Sequence, residues 1–152
     1  GCSPSKGLTE HFIIATVDVA LYAQNVAVAA ESAGLGICYI GAIRNDVARS
    51  AELLNLPQQV YPVFGMCIGW PDQDPEVKPR LPVSVVLKEN SYSIDGEAEA
   101  IAAYDEEMRT YYATRSANIK IQGWSEQMAG LLGKESRLHM RPFLESKGFL
   151  KR

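Results

Sequence analysis

The spacing of apolar positions changes several times along the first third of the chain. Between residues 16 and 33, apolar and alanine positions recur every three or four residues, which predicts one long buried helix. Residues 35–40 form an apolar run of strand length, which we expect to be a buried strand. Gly34 can take the left-handed conformation that ends a helix, and Gly41 follows the strand. The stretch 30–46 therefore predicts a helix end, a strand and a glycine turn in succession.

The rest of the chain predicts further short elements. Asn45 or Asp46 is expected to cap a helix that runs to about Leu54. Later helices are expected over residues 97–115, 124–132 and 142–147, with Ser125 as a cap. Strands are expected over residues 60–70, with breaks at Gly65 and Gly69, and over residues 83–87. The charged, proline-rich stretch 71–82 predicts an ordered loop, and the polar stretch 116–123 predicts a mobile one.

Composition limits the class of protein. A chain of 152 residues with 47% hydrophobic content can bury the core of one soluble domain. The formal net charge of −3 argues against a nucleic-acid surface. We see no apolar span suited to a bilayer and no leader segment, so we expect a cytoplasmic protein without a membrane partner. Cys38 and Cys67 lie in apolar runs, which favours buried reduced thiols over a disulfide framework.

Several kinds of active site are excluded by spacing. Gly34, Gly36 and Gly41 do not fit the dinucleotide-binding pattern of glycines between a strand and a helix. The two histidines have no neighbours at metal-ligand spacing, so no metal site is expected. No Ser–His–Asp signature is visible, and the acidic residues 72–76 are most simply a solvated loop. No residue is therefore assigned an acid–base or nucleophilic role.

Two short motifs point instead to a bound cofactor. Gly41 lacks a Cβ where a flat ligand could approach the backbone, although the glycines could equally serve only the helix–strand junction. In the segment KPRLP, residues 78–82, a proline holds Lys78 and Arg80 in an extended arrangement that suits a phosphate or an anionic ring. The competing interpretation of these two cations is a solvated loop pair.

These motifs together resemble the oxygen-insensitive NAD(P)H nitroreductase and flavin reductase family. The resemblance also covers FIIATVDVALYAQN from residue 12, FGMCIGWP over 64–71, WSEQ over 124–127 and RPFLESKGF over 141–149. It implies an α+β nitroreductase-like fold, with a mixed or antiparallel sheet flanked by helices. It further implies FMN as cofactor, NADPH or NADH as reductant, and ping-pong transfer of two electrons to a nitroaromatic, quinone or free flavin.

The resemblance also assigns residues to the flavin. It places the backbone of Tyr39, Ile40, Gly41, Ala42 and Ile43 against the isoalloxazine ring, with amides near Gly41 and Ala42 directed towards N5. Ala42 replaces the second glycine of many relatives and should still allow close approach. By the same resemblance, Lys78 and Arg80 contact the polar edge and the ribityl-phosphate tail of the flavin.

Four arginines are assigned to the nucleotide or the substrate by the same resemblance. Arg44 is expected near the nicotinamide or the substrate entrance. Arg115 is expected to receive the NADPH 2′-phosphate, and a structural salt bridge is its alternative role. The single substrate-side arginine of the family could correspond to Arg137 or to Arg141.

One departure from the family pattern concerns the start of the chain. The HRS-x-R-type motif that grips the FMN phosphate is absent, so the chain resembles the C-terminal portion of a family member. We expect residues 1–10 to be a linker and residues 11–152 to be that portion, a partial domain. The small residues over 16–33 suit either a homodimer interface, as in the family, or internal packing. The alternative function is a non-catalytic fragment that keeps the fold and dimer contacts without binding FMN.

Overall fold

The chain separates into two compact units, which we describe one at a time. The computed structural model describes residues 5–115 and 118–152. Unit 1 consists of the chain up to residue 73 together with residues 136–152, and unit 2 consists of residues 74–135. Helices and a small antiparallel sheet make up the described residues, which confirms the α+β class.

Unit 1 contains both strands. Its elements, in chain order, are α1 (Thr9–Ser32), β1 (Gly36–Ile40), a 3-10 helix that we call the Gly41 turn (Gly41–Asp46), α2 (Val47–Leu53), β2 (Gly65–Gly69) and α6 (Met140–Ser146). β1 and β2 pair antiparallel, with Cys38 opposite Cys67. As predicted, the side chain of Asp46 caps α2 by accepting the Arg49 backbone N–H at 3.0 Å.

Helix α1 differs from its prediction in length and in burial. It begins at Thr9 rather than near residue 16, and only Ala23, Ala27 and Ala30 are buried. Its apolar residues lie around the whole circumference of the helix, so packing one face against the rest of unit 1 leaves the others uncovered. The exposed ones include Ile13, Ile14, Val17, Leu21, Tyr22 and Val28. By length and composition α1 could also cross a membrane, contrary to our expectation, although core helices of soluble proteins pass the same test.

The strands are shorter and more exposed than predicted. β2 covers only the middle of the predicted strand 60–70. Within the described part of the chain the sheet has two strands, and the side chains of Cys38, Tyr39 and Cys67 are exposed. The expectation of buried thiols is therefore wrong, although Cys38 and Cys67 are unpaired thiols as expected.

An aromatic cluster ties the two ends of unit 1 together. The rings of Phe12, Tyr61 and Phe149 lie 5.3 to 6.2 Å apart between centroids, and Phe149 is buried. Nearby, the Gly7 carbonyl accepts the backbone N–H groups of Lys151 and Arg152. The first and last described segments of the chain are thus part of one folded unit.

In the described part of unit 2, all regular structure is helical. It contains α3 (Val83–Val86), α4 (Glu97–Thr114) and α5 (Trp124–Leu132). The strand predicted over 83–87 is wrong, because the valines follow Pro82 into a single helical turn in which Leu87 N–H donates to the Val83 carbonyl at 2.8 Å. The predicted mobile loop has no helix or strand over 118–123, and its residues 116–117 lie outside the described residues.

The core of unit 2 follows the predicted face of α4. Tyr104, Met108 and Tyr112 are buried at helical spacing, and Trp124 packs against them. Gly123, not Ser125, precedes α5, so the predicted cap is wrong. The capping acceptor is instead Asp105 on α4, whose Oδ1 accepts the Ser125 backbone N–H at 2.8 Å.

Candidate functional site

The backbone from α1 to the Gly41 turn follows the predicted succession of elements. Gly34 has φ of +78°, and the Leu35 N–H donates to the Ala30 carbonyl at 3.0 Å, which closes the end of α1. β1 begins immediately afterwards and delivers the chain to Gly41. Glycine is favoured at residue 34 because it adopts this conformation without the steric cost of a Cβ.

The Gly41 turn offers backbone donors at its first residues. The leading N–H groups of a 3-10 helix have no carbonyl acceptor inside that helix, so those of Gly41 and Ala42 have no partner within the turn. Ala42 is exposed and Gly41 half-buried. The preceding residues are held by β2 and the residue before it, since Ile40 lies opposite Gly65 and the rings of Tyr39 and Phe64 pack edge to face at 5.1 Å.

Arg44 folds back over the turn that carries it. Its Nη1 donates to the Val63 carbonyl, and a Cβ built on Gly41 would lie 3.3 Å from its Nη2. Its positive charge lowers the pKa of Tyr61, but burial is the larger effect and leaves that pKa above its ordinary value of 10.0. The guanidinium of Arg44 is thus a structural donor as well as a candidate ligand contact.

Two residues near the C-terminus reach the same turn. Arg137 Nε donates to Asn45 Oδ1 at 3.0 Å, and His139 Nε2 is 2.9 Å from the Arg44 carbonyl oxygen. Arg141 instead forms an ion pair with Glu145 one helical turn away in α6, with its Nε 3.0 Å from Oε1. Of the two arginines left open by the sequence, the structure therefore brings Arg137, and not Arg141, into hydrogen-bonding contact with the Gly41 turn.

Three cations of unit 2 surround one aromatic ring. Lys78 Nζ and Lys120 Nζ each lie 5.7 Å from the centroid of Tyr112, and Arg115 Cζ lies 5.6 Å from it. Arg115 also lies 5.5 Å from the ring of Tyr111. We call Lys78, Arg115 and Lys120 the Tyr112 cations. The sequence had suggested Lys78 and Arg115, but Lys120 lies in a polar stretch without a motif and gave no signal.

The KPRLP segment is fixed by contacts within unit 2. Tyr104 OH donates to the Pro79 carbonyl at 3.0 Å, which attaches the segment to α4. Arg80 Nη1 donates to the Lys78 carbonyl at 3.2 Å and does not join the cations at Tyr112. Lys78 and Arg80 therefore face different surroundings, although only Pro79 separates them in the sequence.

The Tyr112 cations contrast with other cations of unit 2. Lys88 pairs with Glu97 at 2.5 Å, and Arg109 pairs with Glu106 and Glu126. The hydrogen bond from Arg109 lowers the pKa of Glu126, and the hydrogen bond from the Ser125 N–H lowers the pKa of Asp105. Over residues 5–115 and 118–152, none of the Tyr112 cations forms an ion pair with a carboxylate.

The arrangement suits an anionic ligand. A cation held over a ring by its π face gains roughly 0.5–1 kcal/mol at an exposed site, which orients it without neutralising its charge. Three positive charges around one ring repel each other, so a phosphate placed among them would relieve that repulsion. No group of three or more candidate metal ligands occurs among the described residues.

Comparison with protein families identifies both parts of the chain. Residues 6–70 match the nitroreductase family, and residues 78–152 match the nitroreductase family C-terminal domain. The two matches together include the Gly41 turn and the Tyr112 cations.

Relatives and solved structures agree with these matches. The chain is 50% identical to the NADPH-flavin oxidoreductase of Vibrio harveyi over 144 residues, 95% of this chain and 60% of that protein. It is 43% identical to the oxygen-insensitive NADPH nitroreductase of Salmonella typhimurium, over 96% of this chain and 60% of that protein. The structure of an NADPH:FMN oxidoreductase from Vibrio harveyi complexed with NAD+ superposes with a TM-score of 0.88 at 45% identity, covering 99% of this chain and 61% of that one.

The fold, the two family matches and the relatives lead to one assignment. The chain spans about 60% of the length of these relatives. The nitroreductase-like fold expected from the motifs is confirmed by the superposition. The chain belongs to the nitroreductase family.

Proposed function

We propose that the protein is a flavin-dependent NAD(P)H oxidoreductase. It uses FMN and passes two electrons by a ping-pong mechanism to a small acceptor such as a nitroaromatic, a quinone or free flavin. The observation that carries this proposal is the group of Tyr112 cations, which form no ion pair with a carboxylate in the described part of the chain, whose relatives include an NADPH-flavin oxidoreductase. FMN, when bound, supplies the hydride and electron chemistry that no side chain of the protein can perform.

The Gly41 turn fits the role of a flavin-ring contact. The N–H groups of Gly41 and Ala42, which have no acceptor within the 3-10 helix, can donate to a ring acceptor such as N5. Because Gly41 has no Cβ, the Arg44 guanidinium can lie close to the backbone of residue 41. A ligand that approaches this residue would therefore also contact Arg44. Tyr39, Ile40 and Ile43 shape this surface through their backbone.

The cations of unit 2 fit the role of phosphate and flavin-edge ligands. We assign Arg115 to the 2′-phosphate of NADPH, because a guanidinium fork matches a phosphate dianion. Lys120 lies over the same ring and adds a second charge to this contact. Lys78 and Arg80 are assigned to the polar edge and the phosphate tail of the flavin, where positive charge favours the reduced form.

Substrate entry is assigned to the side of the Gly41 turn that carries Arg44 and Arg137. These side chains are held by Val63 and Asn45, so the entrance has a fixed shape. Arg141 is assigned a weaker role, because its guanidinium is paired with Glu145. The identity of the acceptor would then be decided by which molecules fit against these arginines.

We further propose that the protein is a homodimer through α1. The support is the apolar surface of that helix, where Leu21 and Tyr22 are 62% and 72% exposed. The variant Leu21→Asp should convert the dimer to monomer in sedimentation velocity, while Ile121→Asp, at another exposed apolar position, should not. A monomeric unaltered protein would refute this interface.

A cytoplasmic location is part of the same proposal. Asp18 lies near the middle of α1, and a charged residue at the centre of a membrane span costs roughly 2.5–3.5 kcal/mol. Recovery of the protein in the soluble fraction after cell lysis is the expected result. Extraction only with detergent would contradict it.

The activity is tested by absorbance. The purified protein, reconstituted with FMN, should show a flavin spectrum that bleaches on anaerobic addition of NADPH. A colourless protein that takes up no FMN would overturn the proposal and leave the alternative of a non-catalytic fragment.

Variants separate the two cation roles. Lys78→Ala should lower flavin content, whereas Arg115→Ala should retain flavin and raise KM for NADPH about tenfold or more, the loss expected for one charged hydrogen bond. Lys134 is an exposed lysine of unit 2 that is not among the Tyr112 cations, so Lys134→Ala is the matched control and should change neither quantity. If Arg115→Ala raises KM for NADH as much as KM for NADPH, Arg115 does not bind the 2′-phosphate.

A further inference from the structure

Two cysteines lie directly opposite each other on neighbouring strands. In the antiparallel pairing of β1 with β2, Cys38 is the partner of Cys67. Opposed residues of antiparallel strands point to the same face, with Cα atoms about 4.5–5.5 Å apart. A disulfide requires a Cα separation of about 4.4–6.8 Å. The strand register therefore already places these cysteines within bridging distance.

The closure needs only a small local adjustment. Opposed Cβ atoms are about 4.5–5.5 Å apart, and a disulfide holds them about 3.5–4.5 Å apart. The sheet has two strands in the described part of the chain, and two-stranded ribbons twist more freely than wide sheets. Bringing Cys38 and Cys67 together therefore does not require the strands to separate or change register.

The pair is accessible to a small reagent. Cys38 and Cys67 are both exposed and unpaired, and the Cys38 thiol points towards the Tyr39 carbonyl oxygen at 3.8 Å. The neighbouring pairs on the same face are Gly36 opposite Gly69, which places no side chains beside the thiols, and Ile40 opposite Gly65, which places one. A Cβ built on Gly69 would meet nothing within 4 Å, so the cysteine pair is open on the side of Gly69.

We propose that Cys38 and Cys67 form a reversible redox pair, which a low-molecular-weight disulfide oxidises to an intramolecular disulfide. The pair needs no flavin and no dinucleotide, so this proposal does not depend on the proposed enzyme activity. Because β1 leads directly into the Gly41 turn, oxidation ties this turn covalently to β2.

The chemistry is two successive thiol–disulfide exchanges. One cysteine loses its proton to solvent, and its thiolate attacks a sulfur of the external disulfide, forming a mixed disulfide and releasing one small thiolate. The second cysteine, also deprotonated, attacks the protein sulfur of that mixed disulfide and releases the second small thiolate. The released thiolates take up the two protons. The protein is oxidised by two electrons, and the external disulfide is reduced to two thiols.

The test uses oxidised glutathione with the folded protein and disulfide mapping under non-reducing conditions. Trypsin places the three cysteines on separate peptides, 1–6, 7–44 and 50–80. The expected product is a cross-link between peptides 7–44 and 50–80 within one chain, which dithiothreitol reverses. Stable glutathione adducts on both cysteines without this cross-link would overturn the proposal.

Controls distinguish the fold from simple thiol reactivity. The variant Cys2→Ser should form the same cross-link, while Cys38→Ser should leave a persistent glutathione adduct on Cys67. The same oxidation in concentrated urea should produce mixed pairings that include Cys2. If the folded protein gives the same distribution of pairings as the unfolded one, the strand register does not select the bond and the proposal is wrong.

Discussion

Arg44 in the Gly41 turn and Arg115 beside Tyr112 are held in different ways. Arg44 donates from the edge of its guanidinium to the Val63 carbonyl and covers Gly41. Arg115 lies over the faces of Tyr111 and Tyr112. A contact through the edge consumes N–H donors, whereas a contact through the face leaves them free. We infer that Arg44 mainly fixes the shape of its turn and that Arg115 mainly binds a ligand.

The neighbours of the two arginines differ in the same way. Around the Gly41 turn, Asn45 and the Arg44 carbonyl are engaged by Arg137 and His139. Around Tyr112, Lys78 and Lys120 add charge without a carboxylate among the described residues. Substitutions in the Gly41 turn, whose polar groups are hydrogen-bonded, should therefore mainly lower the free energy of unfolding. Substitutions among the Tyr112 cations should mainly weaken ligand binding.

The largest effect is expected where the support of Tyr112 is disrupted. A Cβ on Gly123 would lie 2.8 Å from Asp105 Oδ1 and 3.0 Å from its Cβ, so Gly123→Ala must displace the residue that caps α5. Tyr112 OH donates to Gln127 of α5 at 3.3 Å, which links the contact between α4 and α5, the α4–α5 joint, to the Tyr112 cations. We expect a loss of about 1–3 kcal/mol in the free energy of unfolding, measured with urea.

Gly130→Ala is the matched control for this substitution. Gly130 lies in the same helix, and a Cβ there would meet nothing within 4 Å. Because alanine is the better helix former, this variant should gain roughly 0.5–1 kcal/mol. If both glycine variants behave alike, close packing of Asp105 against Gly123 is not what positions the joint.

A smaller effect on stability is expected at the Gly41 turn. Arg44→Ala leaves the half-buried Val63 carbonyl without its donor, which should cost roughly 1–2 kcal/mol of unfolding free energy. Arg49→Ala removes an exposed ion pair with Glu52 and should change stability by less than about 0.5 kcal/mol. Thermal melts of both variants test this difference, and an Arg44 variant as stable as the unaltered protein would make its role primarily one of binding.

The smallest effect is the dependence of the α4–α5 joint on acid. The pKa of Asp105 is below its ordinary value of 3.8, because the ionised form accepts the Ser125 N–H. Its stabilising contribution is therefore complete above the ordinary pKa and disappears as the pH falls through the lower folded value. The stability difference between the protein and Asp105→Asn should shrink on titration from about pH 6 to about pH 3. A constant difference would contradict this assignment.

The sequence predicted the elements whose signals are local. The helix end at Gly34, the Asp46 cap and the buried face of α4 follow from one residue type or one period, and the structure confirms them. The valines at 83–86 were misjudged because β-branched residues favour strands, yet Pro82 starts a helical turn where no neighbouring strand is present among the described residues.

The candidate site was only partly predictable for a similar reason. Lys78 and Arg115 belong to recognisable segments, but Lys120 joins them only because the chain returns to Tyr112, which no spacing reveals. The cap on α5 comes from Asp105 on another helix, so the local Ser125 was the wrong choice. The sequence pattern could not predict these contacts, because they join segments that are distant along the chain.

The account is tested most directly by thermal melts of the protein and of Arg115→Ala, each with and without NADPH. Without nucleotide we predict melting temperatures within a few degrees of each other, because Arg115 makes no ion pair with a carboxylate within the described residues and its contact with the tyrosine rings is worth only roughly 0.5–1 kcal/mol. NADPH should raise the melting temperature of the unaltered protein and have little effect on the variant, since a ligand stabilises only the state that binds it. A variant that melts lower without nucleotide but shows the full NADPH shift would contradict the account.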